Sequence, residues 1–249
     1  MATRPIIELK NLTKTFTLEN KKKLTVLKNF NLKVYEGEFF IFLGPSGCGK
    51  STALRLICGL DKEYSGNIEI APSVKREDVS FVFQQFALLP WLTVEENVGM
   101  GLLQKKLSKT EKERRIREEL KRFRLSKFAK SFPHELSGGM RQRVGIARAF
   151  ATHPKIIFMD EPFSEVDSFT AEELRNELLE IWAEQRPTII MVTHLIQEAI
   201  QLSDRIACLV TIPSHIKKVV VNKLARPRNK RSKEFFAMED QLNGFIKPE

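Results

Sequence analysis

The chain has 249 residues, 42% of them hydrophobic, and a formal net charge of +10. That length suits one large α/β domain with a small appendage. No apolar run approaches the roughly 20 residues of a membrane-spanning helix, and the opening MATRPIIELK lacks a signal-peptide stretch, so the chain is expected to be soluble and cytoplasmic. The excess positive charge suits a solvated basic surface, the anionic face of a membrane or nucleic acid, and charge alone does not choose among them. Within residues 6–43, Phe30, Leu32 and Val34 alternate with Asn31, Lys33 and Tyr35, the period of a half-buried strand. Residues 21–23 and Gly37 read as turns.

The apolar run at residues 39–43 feeds GPSGCGKST at residues 44–52. This matches G-x-x-x-x-G-K-[ST] at Gly44, Gly49, Lys50 and Ser51. Glycines let the backbone wrap an anion so that several N–H groups point inward, and Pro45, Ser46, Gly47, Cys48 and Thr52 complete the loop. Lys50 supplies a mobile charge for the outer phosphates and Ser51 a hydroxyl for Mg²⁺. A helix over residues 50–58 turns its positive end toward the same phosphates. The three cysteines, Cys48, Cys58 and Cys208, have no framework or metal-site spacing, as suits a reducing compartment. Cys48 reads either as a thiol acidified by the loop amides or as a small filler.

Further apolar runs at residues 79–83, 156–159, 189–192 and 206–210 suit strands buried on both faces of a largely parallel sheet. Three of them end on polar groups: Gln84, then Asp160 with Glu161, then Thr193 with His194. Polar groups at the carboxyl ends of parallel strands converge on one crevice. Between about 90 and 150 the pattern turns helical. Ser108 and Glu111 have capping-box spacing, and Ile116, Leu120 and Phe123 make an apolar stripe. A second helix is expected after Gly139, with Met140, Val144, Ala147 and Ala151 on one face. From residue 212 the chain is basic, with Lys217, Lys218, Lys223, Arg226, Arg228, Lys230, Arg231 and Lys233. A short amphipathic segment follows, carrying Phe235, Phe236, Met238, Leu242 and Phe245.

Asp160 and Glu161 form a Walker B arrangement, the first placed for the Mg²⁺ shell and the second for the attacking water. The stretch LSGGMRQR at residues 136–143 puts Ser137, Gly138 and Gly139 just before a helix, a second anion nest. One bound ATP already has its nest at the first loop. Taken in order, these motifs resemble the ABC-type ATPases over about residues 6–210. The resemblance gives Gln84 the Q-loop position, residues 164–167 the D-loop, His194 the switch position, and Phe16 the aromatic that stacks on adenine. It implies an α/β P-loop NTPase core of the RecA-like kind, with an N-terminal antiparallel β region and an inserted helical subdomain at about 90–150. The ATPase domain would occupy residues 1–211 and a short basic extension residues 212–249. It also implies a head-to-tail homodimer in which Ser137 and Gly139 serve the partner's ATP. Lys50 would hold the β- and γ-phosphates. Ser51, Gln84 and Asp160 would serve Mg²⁺, Glu161 would act as base, and His194 would bridge γ-phosphate and water.

The family mostly drives membrane transporters. Its members sit peripherally on the cytoplasmic face of the inner membrane, on a transmembrane permease subunit and, through it, a substrate-binding protein. LLPWLTVEENV at residues 88–98, the Glu-Pro-Phe at residues 161–163 and the Arg-Pro-Arg at residues 226–228 resemble importers of nitrate, sulfonates, taurine and bicarbonate, and similar wording also occurs in importers of pyrimidine-type vitamin precursors. Departures from the family pattern are Glu165 in the D-loop, Leu195 after the histidine, and phenylalanine rather than tyrosine at position 16. The alternative is a soluble ABC ATPase acting on nucleic acid or ribosomes. Such proteins carry paired cassettes or a long coiled-coil insertion, neither of which is in this sequence, so nucleic acid is not the expected partner.

Overall fold

The computed structural model describes residues 5–246; residues 1–4, part of the segment without a signal-peptide stretch, lie outside them. In chain order it forms β1 (Pro5–Thr17), β2 (Lys23–Tyr35), β3 (Phe39–Leu43), α1 (Lys50–Ile57), β4 (Ser65–Ile70), β5 (Val79–Val82), α2 (Val94–Met100), α3 (Lys109–Arg122), α4 (Gly138–Phe150), β6 (Ile156–Asp160), α5 (Ser168–Gln185), β7 (Thr188–Thr193), α6 (Ile196–Leu202), β8 (Arg205–Leu209), β9 (Ile216–Val221) and α7 (Lys233–Ile246). Two compact units result, one from residues 5–73 with 188–246 and one from residues 74–187. No helix among the described residues is long and apolar enough to cross a membrane.

In the first unit β1 pairs antiparallel with both β2 and β4. The alternation read in β2 is real: Phe30, Leu32 and Val34 are buried while Asn31 and Lys33 are exposed. β3 runs parallel to β7 and to β8, and β9 closes on β8 in the antiparallel sense. All five side chains of β3 are withdrawn from water, each contributing about 1.5–3 kcal/mol of hydrophobic stabilisation. α1 packs on β7, α6 on β3 and β7, and α7 on α6 and β8. Residues 212–246 thus contribute a strand and a helix to this unit, α7 burying Phe235 and Leu242 while Phe236 stays exposed.

In the second unit β5 and β6 are parallel, with Val82 opposite Met159. α4 packs against α2, α3, α5 and β5. Its Val144, Ala147 and Ala151 are fully buried, on the face expected from their spacing. The helix starts at Gly138, earlier than expected, because Ser137 Oγ accepts a hydrogen bond from the Met140 amide at 3.3 Å and acts as N-cap. At α3 half of the expected capping box forms. Ser108 Oγ accepts from the Glu111 amide at 3.2 Å, while the Glu111 carboxylate is taken by Arg114 and Arg115 instead.

Buried charges mark this unit. Glu119 is 1% exposed and pairs with Arg122 at 2.5 Å; burial outweighs that partner and pushes its carboxyl up to about 7. Glu177, held by Arg143 at 3.2 Å and Arg124 at 3.3 Å, is likewise raised by burial. A carboxyl whose folded pKa lies above its unfolded value binds its proton more tightly when folded. Its contribution to stability is complete below the unfolded pKa and is lost as pH rises through about 7. Glu119→Gln mimics the protonated form at all pH values. It should therefore raise Tm by several degrees more at about pH 8.5 than at about pH 5.5, on the order of 1–3 kcal/mol. Thermal melts of both proteins at the two pH values check this, and an equal shift at both would show that the charge on Glu119 carries no such cost.

Candidate nucleotide site

The first unit delivers two of the expected groups from neighbouring strands. Leu43 of β3 lies opposite Thr193 of β7, so Gly44 and His194 leave the same edge of the sheet. Gly49, at φ +96°, caps α1 in the left-handed region. A Cβ there would stand 2.9 Å from Val26 Cγ1 and 3.0 Å from Leu27 Cδ2, so both backbone angle and space demand glycine. Lys50, 4% exposed, folds its ammonium back onto the loop and donates to the carbonyls of Gly44 and Pro45 at 3.0 Å each. Ser46 and Gly47 are exposed at the loop's crest, and Pro45, Ser51 and Thr52 are half-buried. Cys48 is buried beneath the loop, its sulfur 2.9 Å from where a Cβ on Gly44 would stand, the placement of a filler. Phe16, near the end of β1, is 38% exposed, and the Lys14 ammonium lies 4.6 Å from its ring centre. Lys14 is in turn fixed by Asp61 at 2.9 Å, so a buried cation holds the ring by a cation–π contact. His194 is exposed, and its neighbour Leu195 donates its amide to Thr193 Oγ1 at 3.0 Å.

The second unit repeats the device. Gln84 follows β5 and is exposed, whereas Asp160 closes the adjacent β6 and is 3% exposed. Glu161 sits at φ +43°, a conformation that costs a non-glycine residue on the order of 1–2 kcal/mol. Its carbonyl accepts both the amide and the hydroxyl of Ser164, at 3.2 and 3.0 Å, and so ties the D-loop to the strained residue. Ser137, Gly138 and Gly139 open α4. A Cβ on Gly139 would come within 2.3 Å of Thr170 Cγ2, and one on Gly138 within 3.5 Å of the Glu165 carbonyl. The nest and the D-loop therefore pack against each other. Asp167 caps α5 by accepting from the Thr170 amide at 3.0 Å.

Three residues to which no role is assigned from the sequence hold these loops. Arg148 donates to the carbonyls of Ala87 at 2.7 Å and Phe86 at 3.3 Å, just after Gln84, and burial lowers its pKa. Arg141 lies over the Phe86 ring at 5.2 Å and donates to the Leu136 carbonyl at 2.8 Å. Both stand on the helix that begins at the second nest. Asn97, fully buried, accepts from the Leu89 amide at 2.8 Å and donates to the carbonyls of Leu89, Leu92 and Thr93. That cage presents Trp91 70% exposed at the tip of the LLPWLTV segment. The sequence signal for all three is a polar side chain at a core-facing helical position.

Residues 27–164 match the family model described as ABC transporter. An uncharacterized ABC transporter ATP-binding protein of Methanocaldococcus jannaschii is 43% identical over 246 residues, covering 98% of this chain and 92% of the relative. The aliphatic sulfonates import ATP-binding protein SsuB of Bacillus subtilis is 42% identical over 243 residues, covering 95% and 92%. Among solved structures, an ATP-binding cassette in dimeric, post-hydrolysis form with ADP and Pi gives a TM-score of 0.76 at 37% identity, over 87% of this chain and 99% of that one. These likenesses establish the α/β P-loop ATPase fold expected from the sequence. The chain belongs to the ABC transporter family, as one of its ATP-hydrolysing members.

Proposed function

We propose that this chain is the ATPase subunit of an importer of small anions, with an alkanesulfonate favoured over nitrate, taurine or bicarbonate. The likeness to the sulfonate-import protein along nearly the whole chain supports that cargo. The subunit works peripherally at the cytoplasmic face of the inner membrane. It engages a transmembrane permease subunit, which takes its cargo from a substrate-binding protein. Trp91, held out by the Asn97 cage, supports the 88–98 segment as the permease contact.

The observation that carries the mechanism is the pair of glycine-bearing turns that open α1 and α4, at residues 44–51 and 137–139, which supports reading two anion nests on one chain. A second copy related by two-fold symmetry uses both: each ATP lies between the first nest of one subunit and the second nest of the other. Lys50 holds the β- and γ-phosphates, and Phe16 stacks on adenine. Ser51, Gln84 and Asp160 offer hydroxyl, amide and carboxylate oxygens, a donor set that fits Mg²⁺. Among the described residues no group of three or more His, Cys, Asp or Glu side chains is placed to hold a metal, and Mg²⁺ needs none when phosphates and waters complete its shell. When bound, that ion would neutralise charge on the phosphate oxygens. Glu161 takes a proton from water as its oxygen bonds to the γ-phosphorus. The bond from that phosphorus to the β–γ bridging oxygen breaks, giving ADP and Pi. His194 orients the water against the γ-phosphate.

Three experiments test this. Glu161→Gln should slow hydrolysis by about 10²–10⁴ and trap an ATP-bound dimer visible by size-exclusion chromatography; parental turnover would remove Glu161 from its role. Gly139→Ala should drive a methyl into Thr170, whose χ1 is restricted in a helix. Turnover should then fall about tenfold, in keeping with the 1–3 kcal/mol cost of overpacking. Adding Thr170→Ser, which removes the opposing methyl, should restore it, and undiminished turnover in the single variant would separate residues 137–139 from the reaction. Affinity purification from detergent-solubilised membranes should recover a multi-span membrane protein and a binding protein for sulfonates. Recovery with ribosomes or DNA alone would overturn the importer reading.

A further inference from the structure

The helix that follows His194 is too short to hold itself in place. α6 has seven residues, and its N-cap position, Leu195, makes no side-chain capping bond. Isolated helices of that length are unstable in water. A short helix leaves its last carbonyls without partners inside the helix, and here the C-terminal segment supplies donors to three of them. Arg228 Nη1 donates to Ile200 O at 2.6 Å and to Gln201 O at 3.0 Å. Arg226 Nη2 donates to Leu202 O at 2.6 Å, and Asn222 Nδ2 donates to Ile200 O at 2.8 Å. Two guanidinium groups therefore sit at the negative end of the helix, where a cation is stabilised by the aligned peptide dipoles.

The same segment also reaches the strand that feeds the phosphate loop. Arg226 Nη1 pairs with Asp204 Oδ1 at 2.5 Å, and Asp204 Oδ2 accepts from the Phe39 amide at 2.9 Å. The Asn222 amide donates to the Asp204 carbonyl at 2.8 Å. Phe39 opens β3, whose other end is Leu43. On the helix's flank, Gln197 Nε2 donates to Glu239 of α7 at 3.2 Å.

We infer that Asn222, Arg226 and Arg228 are positioning residues for His194: by clamping the far end of α6 they fix where the histidine stands relative to the γ-phosphate. This rests on the role given to His194 above. Arg228 and the Asn222 side chain touch no group assigned to phosphate or adenine binding and, unlike Arg226, do not contact the carboxylate that holds β3, so they govern turnover and leave nucleotide affinity alone. A displacement of about 1 Å in a catalytic group can cost about a hundredfold in rate.

The test uses the purified full chain, with kcat and KM for ATP hydrolysis measured alongside the affinity for ATP by equilibrium binding. Arg228→Ala should lower kcat by about ten- to a hundredfold while KM and ATP affinity stay within about twofold. Arg228→Lys, which keeps a cation able to donate to one carbonyl, should recover most of the loss. Asn222→Ala, which keeps both arginines, should give a smaller fall of the same kind. A kcat unchanged in Arg228→Ala overturns the inference, and so does a loss of ATP affinity in parallel with kcat in the folded variants, which marks the clamp as merely structural. If Arg228→Ala does not fold, the kcat-against-KM split in Arg228→Lys and Asn222→Ala decides in the same way. His194→Ala measured beside them separates the two readings: if it leaves kcat intact the role of His194 falls and this inference with it, whereas if it abolishes turnover while the clamp variants are unaffected, the clamp alone falls.

Discussion

The in-register parallel pairing of β3 with β7 is the constraint on which the first unit's chemistry rests. Leu43 stands opposite Thr193, and one residue further come Gly44 and His194, two of the residues proposed to meet phosphate. Hydrophobic burial cannot set this register by itself. Both strands are buried on both faces, so there is no inside-outside alternation to penalise a one-residue slip. Polar pins at the start of the strands do it instead. The Gly37 amide donates to Thr188 Oγ1 at 3.0 Å, the Ile189 amide to the Glu38 carbonyl at 3.0 Å, and the Phe39 amide to Asp204 Oδ2 at 2.9 Å. Each of these bonds is made by a group whose desolvation leaves it costly when unpaired. A slip of β3 against β7 would break the first two at once, the third fixes β3 to the start of β8, and the distance from these bonds to residue 44 is the length of one five-residue strand.

A second theme is the use of arginine against backbone carbonyls. Arg148 holds residues 86 and 87 after Gln84, Arg226 and Arg228 hold the end of α6, and Arg205 donates to the Lys33 carbonyl at 2.9 Å. A planar guanidinium has five donors and stays charged, so one side chain can satisfy carbonyls from two turns of chain that no regular hydrogen-bond ladder reaches. Burial lowers the pKa of Arg148, and it brings Arg228 down to about 10, with Arg226 adding to the effect. These are cations kept inside for what they donate. Loops that carry chemistry lie outside the strands and helices, and this is how they are held without being made regular.

The loop at residues 44–51, the Asp160–Glu161 pair and the turn at residues 137–139 stand out in the sequence because each is a short spacing whose residue types suit the proposed anion or metal chemistry. Strand β3 and the alternation in β2 were legible from apolar period. Other elements were not. β4 opens on Ser65, Gly66 and Asn67 and buries none of its residues fully, so its pairing with β1 leaves only Ile68 and Ile70 as a hydrophobic trace, too short to mark a strand. β9 sits at the edge of its sheet with Lys217 and Lys218 exposed, the usual guard on an edge strand, and the lysines make it read as part of a basic tail. α5 does carry a signal, Leu174, Leu178, Ile181 and Trp182 all buried on one face, yet its acidic residues dilute the pattern. The arginine clamps depend on contacts between residues far apart in sequence, which no local spacing reports, whereas the Asn97 cage closes on residues only four to eight positions away and shows in the sequence as one polar side chain at a core-facing helical position.

The net charge of +10 looks different once its parts are placed. The run of basic residues after position 212 suggests a solvated, anion-seeking tail. Two members of that run, Arg226 and Arg228, are half-buried and direct their donors to the helix that follows His194. Two more, Lys217 and Lys218, guard a sheet edge. Charge counted along a sequence treats every lysine and arginine as surface, whereas the work of a cation is set by what lies within hydrogen-bond reach of it. For Arg226 and Arg228 that is the peptide backbone of α6 and the carboxylate that holds β3, so these two charges are internal wiring of the unit, while Lys217, Lys218, Lys223, Arg231 and Lys233 remain on its surface.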